Sequence, residues 1–217
     1  MKNYEAVVFD MDGVIFDSEI CVKNIWREVC LAQGVTNFDD HYDKCLGVNI
    51  QKAKEIMLDA FGKDFPYDEC AKIESKIYHE RYDGGRLPMK PGVNDLLSYL
   101  KDSKKKIALA SSTRSEVVIN QLRDANILKY FDAVIGGDMV TKSKPEPDIF
   151  LKACAELNVS PENAYAVEDS YNGIRSASAG KLKPIMVPDL LPPTEEISSL
   201  AEVVLPSLND VIEYLEN

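Results

Sequence analysis

Val7-Val8-Phe9-Asp10-Met11-Asp12-Gly13-Val14 reads as a short buried strand that runs into two carboxylates spaced i, i+2 and then a glycine. Side chains alternate faces along a strand, so Asp10 and Asp12 are aimed together where the strand ends. The C-terminal tips of parallel strands are where α/β sheets place their chemistry. Gly13 lets the chain turn away sharply. Two carboxylates at one tip repel each other unless a cation sits between them. One reading is a Mg2+-assisted site, with one aspartate as nucleophile and the other as proton shuttle. The other is an Asp-Gly turn with solvated acids, since D-x-D-G also occurs in turns and calcium loops. The rest of the chain has to choose between them.

Further β-branched runs follow at Lys106–Ser111, Ala133–Gly136, Ala164–Glu168 and Pro184–Val187, with one more at Glu202–Leu205. Helical patterns separate them, with apolar residues at i, i+3, i+4. Val93, Leu96, Leu97 and Leu100 form one stripe, and Ile149, Phe150, Ala153, Cys154 and Leu157 form another. Ser207 and Asp210 open a last amphipathic helix carrying Val211, Ile212 and Leu215. Such alternation predicts an α/β fold, a Rossmann-like parallel sheet with helices on both faces.

The rhythm breaks between the first two strands. Residues Ile15 to Leu87 contain no convincing strand and read as several helices. Val22, Ile25, Trp26 and Val29 make one apolar face, ended by Gly34. Ile56, Met57, Ala60 and Phe61 make a second, closed by Gly62, and Cys70, Ile73 and Ile77 make a third. The expectation is a catalytic core of residues 1–14 and 88–217, with a helical cap inserted at 15–87. The cap leaves beside the Asp pair and returns near Pro88-Met89-Lys90-Pro91, as a lid with hinge material there and at Gly84-Gly85.

The chain has 217 residues and a formal net charge of −11. An acidic surface disfavours nucleic acid and anionic membranes as partners. It also repels an anionic substrate at long range, so a phosphate site here needs a local cation. No apolar run reaches membrane-spanning length, and no signal-peptide pattern opens the chain. The expected location is cytoplasmic. Cys21, Cys30, Cys45, Cys70 and Cys154 are scattered, form no C-x-x-C pair, and read as reduced thiols packed as small hydrophobes. His41 and His79 stand in no ligand spacing.

Three more strand ends carry chemistry. The second strand closes on Ser111-Ser112-Thr113-Arg114, hydroxyls before a helix N-terminus that suit an anion, or an ordinary cap. In Thr141-Lys142-Ser143-Lys144-Pro145-Glu146-Pro147-Asp148, Pro145 forces Lys144 into an extended conformation. A lysine fixed in that way reaches back as a point charge toward carboxylates and a transferring phosphoryl group. The fourth strand ends Glu168-Asp169-Ser170, a second acidic pair. Mg2+ takes oxygen ligands, which Asp10, Asp169 and Glu168 can supply. Asp169 also reads as an N-cap, in competition with Ser170.

Taken together, D-M-D-G-V at 10–14, A-S-S-T at 110–113, S-K-P-E-P-D at 143–148 and E-D-S-Y-N-G at 168–173 resemble the haloacid dehalogenase superfamily over nearly the whole chain. The inserted helices are similar to the cap of the branch that includes β-phosphoglucomutase and sugar-phosphate phosphatases. The resemblance implies that Asp10 attacks phosphorus and forms an aspartyl-phosphate. Asp12 then protonates the leaving oxygen and later activates water. Ser111 and Lys144 hold the phosphoryl oxygens. Asp10, Asp169 and the carbonyl of Asp12 ligate Mg2+, with Glu168 as an outer contributor. Dehalogenases of the superfamily lack an aspartate equivalent to Asp12, so its presence favours phosphoryl transfer.

Phosphatase and mutase share this machinery. Members of the mutase branch carry a histidine near the present Val22 and an arginine near the present Ile50, after the Gly47-Val48 turn. Both positions are apolar here, which favours hydrolysis of a small phosphorylated metabolite by a monomer. The alternatives are a β-phosphoglucomutase-type phosphomutase, a non-catalytic binding protein on the same scaffold, and a dehalogenase or carbon–phosphorus hydrolase.

Overall fold

The computed structural model describes residues 2–46 and 50–217, so the Gly47-Val48 turn lies outside the described residues. Among the described residues six strands form one sheet, β1 Ala6–Phe9, β2 Lys106–Ala110, β3 Ala133–Ile135, β4 Ala164–Glu168, β5 Lys183–Met186 and β6 Val203–Val204. Every pairing is parallel, in the order β3-β2-β1-β4-β5-β6. The helices are α1 Ser18–Ala32, α2 Asp39–Tyr42, α3 Ile50–Phe61, α4 Tyr67–Tyr82, α5 Val93–Asp102, α6 Ser115–Asp124, α7 Asp148–Leu157, α8 Tyr171–Ala179, α9 Glu195–Leu200 and α10 Leu208–Glu216. The α/β, Rossmann-like reading of the sequence holds. Strand ends move by a residue or two, and the final strand shrinks to Val203–Val204.

Residues alternate across the central strands. Ala6 and Val8 of β1, Ala108 and Ala110 of β2, and Ala164 and Ala166 of β4 join one buried cluster with Ile149, Phe150, Ala153, Cys154 and Leu157 of α7. Alanines on that face let α7 approach the backbone of the sheet. On α5 the predicted stripe Val93, Leu96, Leu97 and Leu100 is fully buried. α5 packs on β2, and α10 packs on α5. Strands parallel and buried on both faces read as continuous apolar runs, which is why Val7-Val8-Phe9 shows no polar alternation.

The chain divides into two compact units, Met1–Asp17 with Pro88–Asn217, and Ser18–Leu87. The division falls three residues later than the sequence placed it. Ile15 and Phe16 are buried in the first unit, and Phe16 pairs with Met89. Asp17 N donates to Pro88 O at 2.8 Å, so the outgoing and returning segments lie side by side. Lys90 Nζ ties them further, to Asp17 Oδ1 at 3.2 Å and Asp189 Oδ1 at 2.6 Å.

The second unit has its own core of Ile25, Trp26, Val29, Cys30, Phe38, Tyr42, Met57, Phe65, Tyr67 and Cys70. Trp26 stacks on Tyr67 at 5.3 Å. On α3 only Met57 is fully buried, and Ile73 of α4 is 44 % exposed, which corrects its assignment to an apolar face. A four-turn helix packed along one side buries fewer positions than its periodicity offers. All five cysteines are free thiols, and burial pushes Cys30 up to about 12 and Cys154 up to about 11. No helix among the described residues is long and apolar enough to cross a membrane.

Candidate active site

Strand order reverses between β1 and β4, and a crevice opens at the C-terminal edge of a sheet at such a point. The register is level there. Phe9 pairs with both Leu109 and Val167. The next residues along are Asp10, Ala110 and Glu168, and Asp10 N still donates to Val167 O at 2.9 Å. One residue past the strand, Asp10 is 8 % exposed.

Lys144 gathers these tips. Its Nζ donates to Asp10 Oδ1, to Glu168 Oε1 at 2.6 Å and to Ala110 O at 3.1 Å. The side chain is only 7 % exposed and sits above the Phe150 ring. The Lys144–Pro145 bond is cis, and Ser176 Oγ of α8 donates to Glu146 O at 2.6 Å, tying the loop to that helix. The lysine of a Pro-rich loop, ordinarily solvated, is here held inside the site.

Glu168 is fully buried with both oxygens engaged. Oε1 accepts from Lys144, and Oε2 accepts from Asp169 N, Ser170 N and Ser170 Oγ at 3.0–3.1 Å. A Cβ on Gly173 would overlap this carboxylate, so the glycine of the fourth motif makes room for Glu168. Ser170, not Asp169, is the N-cap of α8, accepting from Gly173 N at 3.0 Å.

Asp169 turns instead toward β1. Its carboxylate lies so close to Gly13, at φ +78°, that a Cβ there would collide with it. Asp10, Glu168 and Asp169 each offer an oxygen, all within 4.8 Å of one another. Three hard oxygen donors beside a glycine backbone fit a divalent cation of the Mg2+ type. Glu168 is the most heavily bonded of the three, with four donors on its carboxylate.

Asp12 lies on the β2 side. Its Oδ2 stands 3.3 Å from Thr113 Oγ1. Ser111, fully buried, gives its N–H to Ile135 O and accepts at Oγ from Thr113 N at 3.1 Å. Arg114 is exposed. The loop thus joins Ser111 to Asp12 through Thr113, whose hydroxyl reaches Asp12 rather than capping the helix.

The electrostatics follow from burial. Desolvation lifts the Asp10 carboxyl to about 8, with Lys144 opposing and Glu168 and Asp12 adding to the rise. Burial works against the charge of Lys144, but Asp10 and Glu168 outweigh it and hold the ammonium above its ordinary range. The two directions are compatible because one ammonium serves two carboxylates, leaving an excess of negative charge. A cation at Asp10 and Asp169 would relieve it.

Residues 7–187 match the family model for haloacid dehalogenase-like hydrolases. The chain is 32 % identical over 183 residues to the phosphorylated carbohydrates phosphatase of Thermotoga maritima, covering 83 % of each protein. It is 34 % identical over 184 residues to the beta-phosphoglucomutase of Bacillus subtilis, covering 81 % of this chain and 80 % of that one. Among solved structures, CbbY from Rhodobacter sphaeroides in complex with phosphate superposes with a TM-score of 0.73 at 27 % identity over 96 % of both chains.

Proposed function

The chain belongs to the haloacid dehalogenase-like hydrolase family, and on that premise we propose that it is a phosphatase hydrolysing a small phosphorylated carbohydrate through an aspartyl-phosphate. The observation that carries the proposal is the convergence of Asp10, Lys144, Glu168 and Asp169 at one sheet edge, with Asp12 beside them. A binding protein on this scaffold has no use for four buried or half-buried charges so arranged.

The proposed ligands of Mg2+ are Asp10 and Asp169, with the Asp12 carbonyl. Bound there, the ion offsets charge on the phosphoryl oxygens. Ionised Asp10 attacks phosphorus, forming the Asp10–phosphorus bond as the ester oxygen departs. Asp12 gives that oxygen its proton, then takes one from the water that releases phosphate. Lys144 and Ser111 hold the phosphoryl oxygens, where a fixed ammonium in a water-poor site stabilises charge well. Glu168 accepts from Lys144 and so positions it, and in this reading remains an outer contributor to the ion site.

Relatives bear both phosphatase and mutase names. Hydrolysis is favoured by Val22, which packs against the core of the second unit, and by Ile50, an 80 % exposed hydrocarbon. Neither side chain can carry a proton or clasp a phosphate. A cytoplasmic monomer completes the proposal, in keeping with the free thiols.

The test is phosphate release from p-nitrophenyl phosphate and a panel of sugar phosphates, with Mg2+ or with EDTA. Mg2+-dependent release that vanishes in Asp10→Asn is expected. Activity surviving EDTA or the substitution refutes the mechanism. Isomerisation of β-glucose 1-phosphate in preference to its hydrolysis selects the mutase.

A further inference from the structure

The turn after β3, Gly136-Gly137-Asp138, sits against the loop that follows β2. Gly137 N donates to Thr113 O at 2.8 Å. Asp138 Oδ1 accepts from Ser115 N at 2.7 Å, and Oδ2 accepts from Ser115 Oγ at 2.9 Å. Arg114, the N-cap residue of α6, makes no side-chain cap bond, so Asp138 supplies that cap from another segment. The approach is close. A Cβ on Gly136 would run into Ser115 N, and a Cβ on Gly137 into Ser112 O. Gly137 has no positive φ, so contact with the loop, not backbone conformation, is what excludes a side chain there.

The loop so held is Ser111 to Ser115. Within it, Ser111 Oγ accepts from Thr113 N, and Thr113 Oγ1 reaches Asp12 Oδ2. We propose that Gly137 and Asp138 are positioning residues. They clamp the backbone of Thr113 and Ser115 so that the Thr113 hydroxyl orients the proton-carrying Asp12 and Ser111 keeps its place. This rests on the phosphatase reading of the site. Neither residue touches the reacting atoms. A loop joining a strand to a helix is ordinarily mobile, and a misplacement of an ångström far from the chemistry costs orders of magnitude in rate.

A double-mutant cycle tests it. Asp138→Ala, Gly137→Ala, Thr113→Val and the two double variants with Thr113→Val are assayed for Mg2+-dependent release from p-nitrophenyl phosphate, alongside thermal melts. Asp138→Ala and Thr113→Val are each expected to lower kcat about tenfold. In the Thr113→Val background, Asp138→Ala or Gly137→Ala adds little, because both act through the same hydroxyl. Asp138→Asn, which can accept from Ser115 N and donate to Ser115 Oγ, recovers most of the loss. A purely structural turn lowers the melting temperature instead, with kcat of the folded protein intact or with losses that multiply in the double variants. Either result overturns the inference, and Asp138→Asn keeps the comparison open if an alanine variant does not fold. Wild-type protein without Mg2+-dependent release overturns the phosphatase reading itself, a different result from active wild type with equally active variants.

Discussion

Replacing Lys144 with methionine removes the positive charge that Asp10 and Glu168 share while keeping the volume of the stem above Phe150. Lys144 is 7 % exposed, Asp10 11 % and Glu168 0 % at their side chains, so water cannot take the place of the ammonium. Breaking a buried pair by deleting one partner costs about 3–5 kcal/mol. For a chain of this size that lowers the melting temperature by about 6–20 °C. The sign of the pH dependence follows from Asp10, whose carboxyl stands at about 8 in the fold against an ordinary 3.8. A carboxyl raised by folding stabilises the fold fully below its unfolded value and loses that contribution as pH rises through the folded one. Lys144 limits the rise. Without it the folded value moves higher, and the variant goes on losing stability beyond pH 8, where the wild type has levelled off. Toward pH 5 the deficit narrows, since a buried carboxylate left without its cation is neutralised by a proton. Thermal or urea unfolding of both proteins from pH 5 to 9 in EDTA measures this. Equal stability at pH 7, or a deficit that does not change with pH, refutes the account of the site as a cluster of negative charge held by one lysine.

Gly173→Ala opposes two effects. Alanine is the better helix residue by about 1 kcal/mol, yet its Cβ would overlap Glu168. A net loss of about 2 kcal/mol or more in chemical denaturation is expected, as for other overpacked sites. Mg2+ at a hundredfold its dissociation constant should stabilise the wild type by about 2.7 kcal/mol, and Asp169→Asn should lose most of that gain in paired melts with and without the ion. In the second unit, Met57→Ala should cost about 2–5 kcal/mol. Ile73→Lys, at a position 44 % exposed, should stay within about 0.5 kcal/mol in the same unfolding assay.

The sheet is legible because buried parallel strands are short apolar runs, and β1 and β4 run straight into acidic residues. Asp10 and Asp169 follow from those strand ends, whereas Lys144 follows from the Pro-rich loop nine residues past β3, and the three stand close together in the fold. Glu168 was placed near the metal by residue type alone. Its commitment to Lys144 depends on room left by Gly173, five residues on in the first turn of α8, and a glycine there is a signal that something approaches closely. Gly136-Gly137-Asp138 went unremarked because its partners, Ser112 to Ser115, are distant in sequence and meet it only across the sheet edge. Periodicity placed Ile73 on an apolar stripe. It cannot say how wide a stripe the neighbouring helices will cover, and packing left that residue in water.

Asp17 and Pro88 share a backbone hydrogen bond, and Lys90 staples both exits to Asp189. The ends of the seventy-residue excursion are therefore drawn together within the first unit, by this bond, by Lys90 N donating to Ile15 O and by the Phe16–Met89 bridge. Shortening, lengthening or exchanging that excursion need not disturb any strand pairing, because the frame closes on itself before the excursion begins. A fold wired in this manner lets the inserted segment vary as a cassette, while the frame of parallel strands stays as it is.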